Sequence, residues 1–116
     1  VIDFIQNVFL KGYSDEYARL SHVSLSLQKL AKETGCCILV LSQLSNRVAK
    51  DGAKVIEYKG SGSIAMVCDL GFFIERGDNT NLLEKNDIKL NLKKNRRGIS
   101  GISFDLSFVH PGGLIT

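Results

Sequence analysis

The chain has 116 residues, 44% of them hydrophobic and 23% charged, with a net charge of +3, three cysteines and one proline. That supports one compact domain with a modest core, and the lack of biased or repeated stretches excludes a disordered or solenoid architecture. No apolar run approaches the ~20 residues that span a bilayer and no signal-peptide pattern opens the chain, so a cytoplasmic protein with no membrane partner is expected.

Residues 1–5, Val-Ile-Asp-Phe-Ile, are apolar on both parities and read as the end of a buried strand. The chain opens inside that run, on Val1, which predicts that further residues precede it in the native product. Ser14 is the predicted N-cap of a helix, with Asp15 and Glu16 in the first turn, where the helix dipole favours acids. Leu20, Val23, Leu27, Leu30 and Ala31 then recur at three- and four-residue steps and define one apolar face. Gly35 is placed to end the helix.

Residues 36–41, Cys-Cys-Ile-Leu-Val-Leu, form an apolar run too short for a helix, predicted as a strand buried on both faces. Strand, helix and strand in that order imply a right-handed crossover and a parallel sheet. Residues 45–62 and 77–86 are polar and read as loops, and residues 70–74 as a third buried strand. Ile88, Leu90 and Leu92 alternate with polar residues, as do Ile102, Phe104, Leu106 and Phe108. These two patterns flank residues 96–101 and predict an antiparallel hairpin, with Gly98 and Gly101 supplying positive φ in its turn. The expected fold class is α/β: a parallel sheet with helices, running into a C-terminal antiparallel β-hairpin. Cys36, Cys37 and Cys68 have no histidine at ligand spacing and are expected to be small buried hydrophobes in a reducing compartment.

Four features have the chemistry of a site. Asp3, a carboxylate at the end of an apolar strand, is costly to bury unpartnered; it suits a magnesium shell, although strand-terminal aspartates occur in many α/β folds. Gln43 ends the next apolar run, where open α/β sheets place ligands. Its amide both donates and accepts, as contact with a phosphate and its attacking water requires, and as a plain strand cap also would. Lys93, Lys94, Arg96 and Arg97 crowd one turn, either as a solvated face or as a rigid presentation of cations to phosphate. Lys59-Gly60-Ser61-Gly62-Ser63 exposes backbone N–H groups that bind phosphate oxygens, and also has the composition of a linker.

The order of these features resembles the C-terminal RecA-like domain of replicative helicases of the DnaB type. Val1-Ile2-Asp3-Phe4-Ile5-Gln6 is similar to that family's Walker B strand, and Leu27-Gln28-Lys29-Leu30-Ala31-Lys32-Glu33 to the helix that follows. Leu41-Ser42-Gln43-Leu44-Ser45 resembles its sensor strand end. Ser61-Gly62-Ser63-Ile64, Cys68-Asp69 and Phe72-Phe73-Ile74 follow its DNA loop, acidic residue and strand. Lys94-Asn95-Arg96-Arg97-Gly98, with Gly101 after it, resembles its arginine-finger hairpin.

The resemblance covers nearly all of residues 1–116 and makes the chain the portion of a P-loop NTPase core from the Walker B strand onward. It implies Asp3 as the Mg²⁺ aspartate and Gln43 as the γ-phosphate sensor. It also implies Lys94 and Arg96 as groups reaching a neighbouring subunit's ATP, and Lys59, Gly60 and Gly62 as contacts to single-stranded DNA. A hexamer and a primase or helicase loader are the partners that follow. Two departures stand out: Gly60 where the family has an acid, and Met66-Val67-Cys68 where it is more polar. The chain has no Gly-x-x-x-x-Gly-Lys-Ser/Thr loop, and the family's catalytic glutamate lies upstream of Asp3, so the chain alone is predicted inactive. The alternatives are a truncated, inactive helicase segment, or a segment of another RecA-type ATPase, acting as a binding module.

Overall fold

The longest element is helix α1, Glu16–Thr34. In this computed structural model residues 1–43, 62–76, 87–109 and 114–115 are described, and they divide into two units, Val1–Cys68 and Asp69–Thr116. The predicted loops therefore lie largely outside the described residues.

In the first unit, α1 follows the predicted apolar spacing. Leu20 and Val23 are buried, and Ser24 joins them on the same face by donating its hydroxyl to the Leu20 carbonyl at 2.7 Å. The cap is Asp15 rather than Ser14. Its carboxylate accepts the Ala18 N–H at 2.7 Å, and a carboxylate satisfies that orphan donor while also meeting the positive end of the helix. Gly35 closes the helix in the left-handed region at φ 68°, as its position predicts. Leu20 (0% exposed), Val23, Ile5 (1%) and Ile64 form the core, flanked by Val8, Leu10, Leu27 and Val40. Ile64 comes from a second short helix, α2, Gly62–Val67, tied to α1 by the Gln28 side-chain amide donating to the Val67 carbonyl at 2.8 Å. Leu30, expected on the apolar face, is exposed, because the last turns of α1 extend past these partners.

The predicted parallel sheet is reduced, among the described residues, to a single parallel bridge between Ile2 and Val40. Ile2 donates to Leu39 O at 2.8 Å, Leu41 donates to Ile2 O at 2.9 Å, and Ile5 donates to Leu41 O at 2.9 Å. After Ile2 the chain leaves extended geometry: the Asp3–Phe4 peptide is cis, and Ile5–Asn7 forms a 3₁₀ turn. Residues 36–41 are correspondingly not buried on both faces. Ile38 and Val40 are half-buried whereas Leu39, Leu41, Cys36 and Cys37 are exposed, and Cys68 is half-buried. A strand is buried twice only when its flanks are paired and its faces covered; these backbone bonds run to one flank.

The second unit is an antiparallel meander of β1 (Leu70–Arg76), β2 (Asp87–Asn95), β3 (Ile102–Val109) and the short β4 (Leu114–Ile115), in that order. The predicted hairpin is β2–β3. The run at residues 70–74, expected as a third parallel strand, instead pairs antiparallel with β2, with Phe73 opposite Asn91 and Ile74 opposite Leu90. Gly71 and Phe73 are buried, but Leu70, Phe72 and Ile74 are exposed. The pairing explains why: Phe72, Leu92 and Ile102 share one face with Ile74, Leu90 and Phe104, and on it only central-strand residues, Ile88 and Leu92, are fully shielded by their neighbours. Opposite them, Asn91 (4% exposed) accepts the Ser103 hydroxyl at 2.5 Å. A register shift between Gly71 and Phe72 leaves Lys93 unpaired as a bulge, so that Lys94 stands opposite Gly71 while Leu92 stands opposite Phe72.

Candidate functional site

Asp3 and Gln43 lie at the same end of the two segments joined by the Ile2–Val40 bridge, and both side chains are exposed. The segments are held there by side chains as well as backbone. Gln6 donates through Nε2 to Ser42 Oγ at 3.0 Å, and its Oε1 accepts the Gln43 N–H at 3.3 Å. The Gln6 carbonyl accepts from Arg19 Nη1 at 3.0 Å, and the Val8 carbonyl accepts from the same nitrogen. The result is a solvent-facing carboxylate beside a solvent-facing amide on a fixed backbone. One hard oxygen donor suits Mg²⁺, which is held by one or two carboxylates together with phosphate oxygens and water rather than by a protein cage. Among the described residues no group of three or more His, Cys, Asp or Glu side chains could hold a metal ion, so Asp3 fits that minimal ligand set and no larger one.

The second cluster is the β2–β3 turn, which belongs to the other unit. Asn95 organises it: its Nδ2 donates to Ile99 O at 3.2 Å and its Oδ1 accepts the Arg97 N–H at 3.2 Å. Gly101, at φ 82°, donates to Leu92 O at 2.7 Å. Gly98 does not adopt the positive φ expected of it. It is needed for space, since a Cβ there would sit 2.7 Å from Asn95 Nδ2. Arg96 is anchored twice on Asp69: its N–H donates to Asp69 O at 2.9 Å, and its Nη1 lies 3.3 Å from Asp69 Oδ1. With side-chain exposures of 40% and 73%, the ion pair is worth at most about 1 kcal/mol. A phosphate can therefore take the guanidinium from Asp69 at small cost. Arg97 and Lys93 are exposed, and Lys94 is half-buried on the side of Gly71.

Of the residues expected to meet DNA, Lys59 and Gly60 lie outside the described residues, and Gly62 is the exposed first residue of α2.

The family model of the DnaB-like helicase C-terminal domain matches residues 1–111. The chain belongs to that family. It is 34% identical over 116 residues to the replicative DNA helicase DnaB of Geobacillus stearothermophilus, covering 94% of this chain and 25% of the relative. It is 31% identical over 107 residues to the replicative DNA helicase DnaB of Haemophilus influenzae, covering 87% and 23%. Among solved structures, a helicase ATPase domain superposes with a TM-score of 0.83 at 26% identity, over 98% of this chain and 42% of that one. This DnaB-like chain thus has the fold of a helicase ATPase domain, and spans about a quarter of the curated relatives it matches.

Two residues of this DnaB-like domain are not found by sequence reasoning. Asp69 is legible only as an acid between apolar residues, and its pairing with Arg96 spans 27 positions of chain. Gln6 follows an apolar run as any strand-ending polar residue does; only the adjacency of residues 2 and 40 reveals that its amide meets Ser42 and Gln43.

Proposed function

We propose that this segment is part of the ATP-driven motor of a replicative DNA helicase, a hexameric ring that translocates on single-stranded DNA. The observation that carries the reading is the exposed Asp3–Gln43 pair at one end of two bridged segments, in a chain of the DnaB-like C-terminal family. In it Asp3 orients the waters of the Mg²⁺ that accompanies ATP, and Gln43 reports on the γ-phosphate. The bound metal supplies charge neutralisation on the phosphate oxygens.

Lys94 and Arg96 then act in trans on the ATP of the adjacent subunit. The support is a turn braced by Asn95 and Gly98, which holds cations in place before the reaction and so costs little reorganisation. Lys59 and the amides of Gly60 and Gly62 are assigned to the DNA backbone on chemistry alone: small residues expose N–H donors, and lysine adds charge. Cytoplasmic residence and contacts of the ring with a primase or a helicase loader belong to the same proposal; among the described residues no helix is long and apolar enough to cross a membrane. A second reading, a binding module without turnover, is favoured for the isolated chain by one observation: the sequence holds no phosphate-binding loop.

The test is Arg96→Ala in the complete helicase. Because a trans arginine acts on transition-state charge, the hydrolysis rate should fall about a thousandfold or more while ATP affinity stays within a few-fold. Lost affinity with an unchanged rate per bound ATP would overturn the finger assignment.

A further inference from the structure

Gln6 spends both ends of its side-chain amide on the Gln43 segment. Nε2 donates to Ser42 Oγ at 3.0 Å and Oε1 accepts the Gln43 N–H at 3.3 Å, a combination that only an amide of this length can make. Ser42 Oγ in turn lies 3.3 Å from the Gln43 carbonyl, so the Gln43 peptide is bracketed on both sides. The main chain of Gln6 is itself fixed. It belongs to the 3₁₀ turn Ile5–Asn7, closed by Asn7 N–H to Phe4 O at 3.0 Å and Val8 N–H to Ile5 O at 3.1 Å, and rooted by Ile5 at 1% exposure. Arg19, in the first turn of α1, holds the carbonyls of Gln6 and Val8 together. The Gln43 peptide therefore cannot shift alone. Either the amide clamp breaks or the 3₁₀ turn moves, and a moving turn pulls on Arg19 and the segment of residues 8–15 that leads into α1.

We infer that Gln6 is a positioning residue that sets the Gln43 side chain and transmits its displacement through the 3₁₀ turn and Arg19 to the start of α1. The inference rests on the reading of Gln43 as the γ-phosphate sensor. Its consequence is that a change at the nucleotide reaches the exposed stretch before α1, which carries Phe9, Lys11 and Tyr13, without any contact between that stretch and ATP.

The experiment uses the complete helicase that carries this segment, with Gln6→Met, which keeps the length and removes both hydrogen-bonding ends. Three quantities are read: kcat, KM for ATP, and the ratio of single-stranded DNA affinities with a non-hydrolysable ATP analogue and with ADP. The expected result is a kcat lower by about tenfold, KM changed by less than about threefold, and an affinity ratio pulled towards one by about tenfold. A folded Gln6→Met ring with the wild-type kcat and ratio overturns the inference. If Gln6→Met does not assemble, Gln6→Ala, which adds no bulk, is read in the same way. Gln43→Ala separates the two layers. If it leaves kcat intact, the sensor reading itself falls. If it collapses kcat while the Gln6 variants keep the wild-type kcat and ratio, only the role of Gln6 falls. In the Gln43→Ala background, Gln6→Met should add less than about twofold, because both changes act through one side chain; full additivity overturns the inference.

Discussion

At the scale of single residues, the β2–β3 turn is the most informative place in the chain. Asn95 makes two bonds across it, to Ile99 O and from Arg97 N–H, and Gly98 leaves the room for them. Gly98→Ala forces Asn95 to rotate, and Asn95→Ala deletes the same bonds. Each should cost about 1–2 kcal/mol, and the double variant little more than either, since a shared interaction can be lost only once. Denaturant unfolding of the three variants checks this, and additive losses would show that Gly98 serves the backbone instead. The turn and its cations are legible in the sequence, because alternation on both sides bounds them. The reason for Gly98 is not, because a glycine needed for a neighbour's amide leaves the same letter as one needed for positive φ.

At the scale of elements, α1 is legible almost to the residue. Its spacing, acidic first turn and closing glycine all reflect local physics that operates within one turn of helix. What local physics does not encode is where the partners stop. Leu20 and Leu30 belong to the same apolar pattern, yet Leu20 is fully buried and Leu30 is exposed. Leu20→Ala should therefore cost about 2–5 kcal/mol, whereas Leu30→Ala should cost less than about 1 kcal/mol. Thermal unfolding of the two variants distinguishes them, and equal losses would place a covering element over the last turns of α1. The strands are harder to read. Residues 36–41 and 70–74 are both continuous apolar runs, and such a run suggests burial on two faces; pairing decides otherwise. One run is bonded along a single flank by a parallel bridge, and the other joins an antiparallel meander whose central strand takes most of the shielding.

At the scale of the whole molecule, the chemistry assigned to the chain is divided. Asp3 and Gln43 belong to the unit Val1–Cys68, and Lys94 and Arg96 to the unit Asp69–Thr116. Neither set holds a triphosphate in place, because the loop whose amides and lysine wrap the β- and γ-phosphates has no counterpart in the 116 residues. The purified 116-residue chain should release no phosphate from ATP, with or without single-stranded DNA. A DNA-stimulated rate in that preparation, surviving removal of contaminants, would mean that the chain builds a nucleotide site by another route. The order of motifs along the sequence is sufficient to place the chain in its family, since five spaced signals constrain one another. The geometry within each signal is not legible there, because it depends on which residues distant in sequence become neighbours.

Lys93, the residue left over when β1 and β2 pair, works as a counting device. Beyond it, each β2 side chain points the opposite way from the one that strict alternation assigns. An uninterrupted ladder would carry Lys94 onto the face of Phe72, Leu92 and Ile102; the extra residue keeps its ammonium on the side of Gly71. Loss of Lys93 alone would then leave Lys94 opposite Gly71 and merely straighten the strand. Loss of both lysines would bring Asn95 to that place and turn the brace of the hairpin to the wrong side. In this stretch, therefore, a deletion of one residue is milder than a deletion of two.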